Sequence, residues 1–219
     1  MPKTQPQKAK VAQIRFLTES TYILKLERNG FQFIPGQCIN VGLPGLGVNR
    51  EYSTYSGIKD PYLEFLIKRI DGGLVSTKLS LLDPGDEVTL DGAYGLFTIK
   101  KPSDKKCRYL FIASGTGIAP FHSFLRSYPK LNCKILHGIR FVREQYEKDH
   151  YPKEVYTSCV SGERGGDFRG RVTGYLKKHS VTKDTTCYVC GNSSMINDVY
   201  DILRNQGLSA SNILTETFF

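Results

Sequence analysis

Residues 114–117, Ser-Gly-Thr-Gly, have the composition of a turn that receives a phosphate group. They follow an apolar run, residues 109–113, that is typical of a buried strand, and they precede a segment with helical spacing in which Pro120 suits the first turn. Gly115 and Gly117 permit a tight turn. Where a strand turns directly into a helix, several backbone N–H groups point at one place, and such a place favours a phosphate or diphosphate. Because Pro120 stands where a dinucleotide fingerprint has its third Gly or Ala, an ordinary strand-to-helix turn is the alternative.

A second group, Arg50-Glu51-Tyr52-Ser53, fits the same kind of ligand. In an extended segment Arg50 and Tyr52 lie on one face, with Ser53 on the other. Arginine offers a bidentate fork for a diphosphate, and tyrosine offers a flat ring with a polar tip. Twenty residues later, Gly73 precedes a predicted short helix over residues 74–82, whose first N–H groups can take the other side of a diphosphate. Taken singly, Arg-x-Tyr-Ser also fits an ordinary exposed strand.

The segment that carries the second group is expected to be all-β. Up to residue 101 short strand-like runs alternate with Gly and Pro turns, which predicts a small antiparallel β-barrel or sandwich. We expect residues 1–10 to form a loose tail and residues 11–101 to form this domain. The predicted strands span residues 11–16, 21–26, 33–41, 62–70 and 87–90.

The segment that carries the glycine turn is expected to be an α/β domain over residues 102–219, and its boundary with the first domain falls within a polar linker at residues 100–106. Strands alternate with helices, which is typical of a parallel sheet with helices on both faces, and ligands bind such sheets at the carboxyl ends of the strands. The glycine turn and the turn Cys190-Gly191-Asn192 both belong to that edge. The predicted strands span residues 109–113, 133–139, 155–159, 187–190 and 213–218, with a helix in each interval.

The composition restricts the class of protein. The chain of 219 residues has a formal net charge of +9, which suits an acidic partner, but it contains no recognised nucleic-acid module. We find no apolar run long enough to span a bilayer and no secretory segment, so we expect a cytoplasmic protein without membrane contact. The six cysteines are scattered. Cys187 and Cys190 form one Cys-x-x-Cys without a second pair to complete a zinc site, and no pattern for an iron–sulfur cluster occurs.

Four motifs occur in one order at sensible distances: Arg50-x-Tyr52-Ser53, Gly73-x-x-Ser76-x-x-Leu79, Gly115-Thr-Gly-Ile-Ala-Pro-Phe121 and Cys190-Gly-Asn192-x-x-Met195. From about Val11 to the last residue, this order resembles the ferredoxin–NADP reductase family. The resemblance implies FAD on an antiparallel β-barrel and NADP on a following Rossmann-like α/β domain. It also implies hydride transfer between the nicotinamide and the flavin.

The resemblance implies a role for each matching residue. Arg50 pairs with the flavin diphosphate, Tyr52 packs against the isoalloxazine ring, and the Ser53 hydroxyl lies near flavin N5. Cys190 lies near the nicotinamide, and Glu216 precedes a terminal aromatic, Phe218 or Phe219, that stacks on the flavin. The other residues implied to bind the two cofactors are Leu74, Val75, Ser76, Gly115, Thr116, Gly117, Arg140, Gly191 and Met195.

The choice between NADP and NAD depends on residues 160–171, where the sequence departs from the family pattern. Ser161 and Arg171 match residues that bind the 2′-phosphate, but Gly162 stands in place of an arginine. Arg164 can substitute for it, and together with Arg169 and Arg171 it forms a cationic cluster that favours NADP. Glu163 favours the alternative, because an acidic residue binds the ribose diol in NAD sites.

The function that the resemblance implies is a reductase that exchanges electrons between NADP(H) and a soluble one-electron carrier through FAD. An acidic ferredoxin or flavodoxin suits the basic surface. One alternative is an NADH-dependent reductase component of an oxygenase, or a flavin reductase. Another is a flavin-bearing electron-transfer subunit that uses no nicotinamide.

Overall fold

The computed structural model describes residues 6–104 and 106–218, and this part of the chain divides into two compact units. The first unit contains the described residues up to Ile99 together with His122–Ser127. The second contains Lys100–Phe121 and the described residues from Tyr128 onward. None of the helices in these ranges is long and apolar enough to cross a membrane.

The first unit is built on a six-stranded antiparallel sheet. Its strands follow the order β4-β3-β6-β1-β2-β5, and a short helix, α1, precedes β6. The residues after β4 bond to β5, through Tyr55 N–H to the Glu64 carbonyl (2.8 Å) and Glu64 N–H to Ser56 Oγ (3.0 Å), which brings the two ends of the sheet together. The bounds are β1 Gln7–Phe16, β2 Thr21–Glu27, β3 Cys38–Gly42, β4 Asn49–Ser53, β5 Tyr62–Lys68, α1 Leu74–Leu79 and β6 Glu87–Tyr94.

Alternation of apolar and polar residues produces the core of this barrel-like sheet. Tyr22, Leu24 and Leu26 of β2 are fully buried, as are Ile39 of β3 and Phe65 of β5. Tyr22, Leu24 and Leu26 share one face of β2 because side chains alternate along a strand. The other face is partly covered as well, since Ile23 of β2 and Leu66 of β5 are 2% and 3% exposed. The predicted antiparallel β-domain is therefore confirmed.

Strand β1 begins earlier than the sequence indicates. Gln7–Lys10 pair with β6, and Ala9 within them is 2% exposed. A loose tail is therefore wrong for these four residues, whose alternation is hidden by lysines on the solvent face. Residues 1–5 of the predicted tail lie outside the described residues.

The second unit is built on a six-stranded parallel sheet of order β10-β9-β8-β7-β11-β12. Helices α3 and α4 cover it, and α2 begins in this unit and ends, from His122 onward, in the first. The predicted α/β class is confirmed. The bounds are β7 Arg108–Ser114, α2 Ala119–Ser127, β8 Cys133–Ile139, β9 Tyr156–Val160, β10 Phe168–Arg169, α3 Val172–Lys178, β11 Thr185–Gly191, α4 Ser193–Asn205 and β12 Ile213–Thr217.

The predicted helix between β8 and β9 is wrong. Two 3-10 turns, Val142–Glu144 and Lys148–His150, occupy this interval and are separated by Glu147 at φ +47°. The interval is rich in charged residues and lacks an apolar stripe that could pack on the sheet. A cavity of about 480 Å³, lined partly by Tyr151 and Tyr156, lies beside the turns.

Candidate cofactor-binding sites

Strand β4 carries the first group of candidate residues. It lies at the edge of the sheet and pairs with β3, with Tyr52 opposite Ile39 and Ser53 opposite Cys38. The Arg50 side chain is exposed, Tyr52 is half-buried against the core, and Ser53 is 3% exposed. The strand therefore presents a solvated guanidinium, a ring and a hydroxyl in succession, which fits the diphosphate and ring system of a flavin nucleotide.

Tyr22 connects β4 with helix α1. Its hydroxyl donates to the Ser76 carbonyl at 2.6 Å. Burial raises the pKa of Tyr22, and the nearby Tyr52 raises it further, so the two phenols are neighbours. Burial also raises the pKa of Tyr52 to about 12, an effect that Arg50 opposes. Both hydroxyls are therefore protonated donors at neutral pH, and strand β4 lies close to the start of α1.

The start of α1 depends on a compact turn. Gly73 N–H bonds to the Ile70 carbonyl (2.8 Å), and the Ser76 hydroxyl accepts from Ile70 N–H (3.2 Å). A Cβ at Gly73 would lie 2.9 Å from the Ile70 carbonyl oxygen, so only glycine fits without a shift. The first N–H groups of a helix have no partner within it, so those of Leu74, Val75 and Ser76 are suited to an anion.

The glycine turn of the second unit is a 3-10 helix, Gly115–Ile118, that links β7 to α2. Gly115 has φ +53°, a conformation that glycine adopts readily. A Cβ at Gly117 would lie 2.4 Å from the Cys190 carbonyl oxygen and 2.9 Å from the Gly191 Cα. Gly117 is therefore required so that the turn can pack directly on the end of β11.

Hydrogen bonds between polar side chains and the backbone join the ends of β7 and β11. Ser114 Oγ accepts from the backbone N–H (3.1 Å) and the side-chain amide (3.0 Å) of Asn192. The Asn192 side chain also accepts from Met195 N–H at 2.9 Å and so caps α4. A Cβ at Gly191 would lie 2.1 Å from Ser114 Oγ. The glycine turn and the Cys190-Gly191-Asn192 turn thus form one edge, as the sequence predicts for parallel strands.

His137 of β8 lies beneath this edge and is fully buried. Its Nε2 is 2.8 Å from the Gly115 carbonyl oxygen and its Nδ1 is 2.8 Å from the Tyr156 hydroxyl. Burial lowers the pKa of His137 to about 4, although the bond to Gly115 and the charge of Glu144 act in the opposite direction. The imidazole is therefore neutral at physiological pH.

We expect the free energy of unfolding to fall as the pH falls from 6.5 to 4. In this window the unfolded chain protonates His137 and the folded chain does not, so the stability contributed above pH 6.5 is lost progressively down to the folded pKa. A shift from 6.5 to about 4 corresponds to about 3 kcal/mol. Chemical denaturation at several pH values measures it, and His137→Gln removes the titrating group. An unchanged pH slope in that variant contradicts the prediction.

The candidate 2′-phosphate residues lie at the carboxyl ends of β8 and β9. Arg140 follows β8, Ser161 follows β9, and Gly170 N–H bonds to the Val160 carbonyl (2.8 Å), which brings Arg171 level with Ser161. The arginines at positions 140, 164 and 171 are exposed.

The structure explains why residue 162 is a glycine. A Cβ there would lie 2.6 Å from the Arg140 carbonyl oxygen and 2.7 Å from the Arg140 Cγ. The Arg140 side chain thus fills the space in which a side chain at 162 would begin. The neighbouring Glu163 carboxylate accepts from Val142 N–H at 2.6 Å.

The remaining candidates lie on β11, on β12 and after it. Cys190 is fully buried beside Ala113 and Glu216 in the sheet, and burial and Glu216 raise the pKa of its thiol. Phe218 N–H donates to the Gly191 carbonyl (2.7 Å), which holds the chain next to Cys190. The other terminal aromatic, Phe219, lies outside the described residues.

Several contacts that shape these sites were not identified from the sequence. Ser114 and Asn192 belong to the predicted turns, but the hydrogen bonds between them join elements distant in the chain. Tyr22, His137 and Tyr156 were not singled out, because each is a buried strand residue whose partner lies on another element. The sequence signal was His137 in the apolar part of its strand, residues 135–139, because a buried histidine requires hydrogen-bond partners.

Comparisons with known proteins assign both units. Residues 8–99 match the family model described as the oxidoreductase FAD-binding domain, and residues 111–201 match the oxidoreductase NAD-binding domain. The expected order of a FAD-binding domain followed by a nicotinamide-nucleotide-binding domain is therefore confirmed.

Individual relatives agree with these models. The chain is 31% identical to the toluate 1,2-dioxygenase electron transfer component of Pseudomonas putida, over 96% of this chain and 67% of that protein. It is 28% identical to ferredoxin–NADP reductase B of Sorangium cellulosum, over 94% of each. The crystal structure of a ferredoxin–NADP+ reductase from Neisseria gonorrhoeae with bound FAD and NADP has the same fold. Its TM-score is 0.89 at 21% identity, covering 99% of this chain and all of that one.

Proposed function

Because the chain belongs to the ferredoxin–NADP reductase family of flavoprotein oxidoreductases, we propose that it moves electrons between NADP(H) and a soluble one-electron carrier. The observation that carries this proposal is the packing of Gly117 on the Cys190–Gly191 peptide, which leaves a glycine turn with backbone donors at the carboxyl edge of the sheet. Such an edge suits a nicotinamide nucleotide diphosphate.

FAD, when bound, takes up two electrons from a nicotinamide and releases them singly. The first unit supplies its holding groups: the Arg50 fork and the N–H groups of Leu74, Val75 and Ser76 for the diphosphate. Tyr52 packs against the ring system, and the Ser53 hydroxyl bonds at its reacting edge. The exposed guanidinium, the half-buried ring and the buried serine of β4 support these roles.

The second unit supplies the groups for the nicotinamide nucleotide. The N–H groups of Gly115, Thr116 and Gly117 take the diphosphate, and Met195 and Gly191 shape the second turn. Cys190 and Glu216 lie side by side at the end of the sheet, where a small thiol leaves room for a ring and a carboxylate adjusts the local charge. The role of a terminal aromatic residue, Phe218 or Phe219, at the flavin stays a prediction, and Phe219 lies outside the described residues.

One titration tests the proposal. Anaerobic addition of NADPH to the FAD-loaded protein is expected to bleach the flavin absorbance with one equivalent of nucleotide. Failure of both NADPH and NADH to bleach it would leave the chain a flavin electron-transfer subunit that uses no nicotinamide.

We further propose NADP as the preferred nucleotide. Arg140, Arg164 and Arg171 present exposed guanidinium groups at the edge where Ser161 lies, and guanidinium groups bind phosphate through paired hydrogen bonds. Glu163, the residue that favours NAD, is already held by Val142 N–H. The closeness of Arg140 to the Cβ position of residue 162 supports Arg140, beside Arg164, as a substitute for the missing family arginine.

Arg171→Ala is expected to raise KM for NADPH by about 10- to 100-fold, because a charge-assisted hydrogen bond to the 2′-phosphate is lost. KM for NADH, which has no 2′-phosphate, should stay nearly unchanged. Steady-state kinetics with ferricyanide as acceptor measure both constants. Lys177→Ala, which removes an exposed cation from the other end of α3, is the matched control and should change neither. Equal effects of Arg171→Ala on both nucleotides would remove this residue from the 2′-phosphate site.

The proposed electron carrier is an acidic ferredoxin or flavodoxin. A net charge of +9 steers such a partner, so the rate of carrier reduction should fall steeply as salt rises, while ferricyanide reduction by the same protein changes less. None of the six cysteines, all of which lie in the described part of the chain, is joined in a disulfide, which suits a reducing compartment, the cytoplasm.

The relative from Pseudomonas putida, an electron transfer component of toluate 1,2-dioxygenase, favours a second candidate: a reductase component that feeds an oxygenase. That function predicts a higher kcat/KM for NADH than for NADPH, whereas the exposed arginines predict a higher value for NADPH.

A further inference from the structure

The Gly115 carbonyl has a buried partner that the cofactor motifs do not include. His137 lies on β8, directly beside Ala113 of β7, and the imidazole Nε2 is 2.8 Å from the Gly115 carbonyl oxygen. The other ring nitrogen, Nδ1, is 2.8 Å from the hydroxyl of Tyr156 on β9. A series of two hydrogen bonds therefore connects Tyr156 on β9, His137 on β8 and the Gly115 carbonyl of the glycine turn.

The donor and the acceptor of both hydrogen bonds follow from the chemical groups involved. A carbonyl oxygen only accepts, so Nε2 must carry the proton and donate to Gly115. The imidazole is neutral, so Nδ1 is the acceptor and the Tyr156 hydroxyl donates to it. Tyr156 remains a donor because burial raises its pKa. One tautomer of His137 alone satisfies both partners.

The orientation of the Gly115–Thr116 peptide follows from this contact. In a trans peptide the C=O and the next N–H point in opposite directions. A carbonyl held inward by His137 therefore turns the Thr116 N–H outward, toward the position of a bound diphosphate. Glycine offers little resistance to rotation of this peptide, and a rotated carbonyl would present an oxygen dipole to the anion instead of a donor.

We propose that His137 and Tyr156 are positioning residues that lock the Gly115–Thr116 peptide in its anion-binding orientation. The inference rests on the proposed function, in which this turn receives the nucleotide diphosphate. Neither residue touches the nucleotide, since His137 is fully buried and Tyr156 reaches the turn only through it. The ring of Tyr156 is itself held in a stack with Tyr151, with centroids 5.2 Å apart.

Three variants of the FAD-loaded protein test whether His137 and Tyr156 hold the Gly115–Thr116 peptide in this orientation. His137→Leu keeps an apolar side chain of similar size without a donor, and it is expected to weaken NADPH binding about tenfold, the loss of one preorganised hydrogen bond. His137→Gln offers an amide nitrogen to the Gly115 carbonyl and should restore most of the affinity. Tyr156→Phe leaves Nε2 in place and should cost about threefold, because only the tautomer is less strongly held.

The readout that separates positioning from general damage is the binding of 2′-AMP, which contains the 2′-phosphate but no diphosphate. His137→Leu should leave the dissociation constant of 2′-AMP unchanged while that of NADPH rises. Equal weakening of both ligands, or a Gln variant as impaired as the Leu variant, would reduce His137 to a structural role and overturn the inference.

Long-range proton–nitrogen NMR of histidine-labelled protein provides a second measurement that needs no nucleotide. It should show an unprotonated Nδ1 and a protonated Nε2 for His137, and the opposite tautomer would overturn the inference. A wild-type protein whose flavin no nucleotide bleaches would refute the proposed function itself. Normal bleaching by wild type with full NADPH affinity in His137→Leu would refute only the positioning inference.

Discussion

Arg50→Ala is expected to purify with only a small part of its FAD. The guanidinium of Arg50 is exposed on edge strand β4, and the other residues of Asn49–Ser53 include no basic residue that could replace its charge. Loss of a bidentate, charge-assisted contact weakens diphosphate binding by about 1.5–3 kcal/mol, which raises the dissociation constant of FAD about 10- to 150-fold. The absorbance ratio of flavin to protein after gel filtration measures the loss, and ferricyanide reductase activity should fall in proportion and return when FAD is added in excess.

Arg15→Ala is the matched control, because it removes an exposed arginine from β1 of the same sheet. It should keep full flavin content. An Arg50→Ala protein that is as yellow as wild type would show that the flavin diphosphate is held by other groups, and the assignment of β4 would have to be abandoned.

The second large effect is expected from Gly117→Ala. The new methyl group would lie 2.4 Å from the Cys190 carbonyl oxygen and 2.7 Å from its carbon. Both belong to the backbone at the end of β11, so neither can rotate away, and the glycine turn must move. A displacement of about 1 Å in a positioned binding group can cost about 100-fold in rate. We therefore expect kcat/KM for NADPH to fall about 100-fold in stopped-flow or steady-state assays.

Flavin content should stay normal in Gly117→Ala, because the matched FAD-binding domain ends before this residue. Gly174→Ala is the control within the same unit: its Cβ would meet only Phe168 ring atoms at 3.7 and 3.8 Å, an ordinary contact in a helix. Thermal unfolding of both variants separates a local shift from loss of the fold. Wild-type kinetics in Gly117→Ala would mean that the turn does not approach β11 as closely as described.

Much of the fold could be predicted from local patterns. The apolar run in Arg108–Ser114 indicates burial directly, because parallel strands are covered on both faces, and the apolar residues of Thr21–Glu27 are likewise buried. The interval between β8 and β9 could not be predicted in this way. A charged segment without an apolar stripe has no local preference strong enough to decide between a helix and two short turns.

For the sites, the sequence alone determined the chemical groups: the arginine and tyrosine of β4, the glycines of the turn and the cationic residues after β9. It also determined the family, through the order of the motifs. The tertiary structure decided which contacts position those groups. Gly117 is required by a strand more than 70 residues away, Gly162 makes room for Arg140, and the orientation of the Gly115 carbonyl is set by His137 from a neighbouring strand. Contacts of this kind depend on which strands lie side by side and in what register, and that information arises only when the whole sheet has formed.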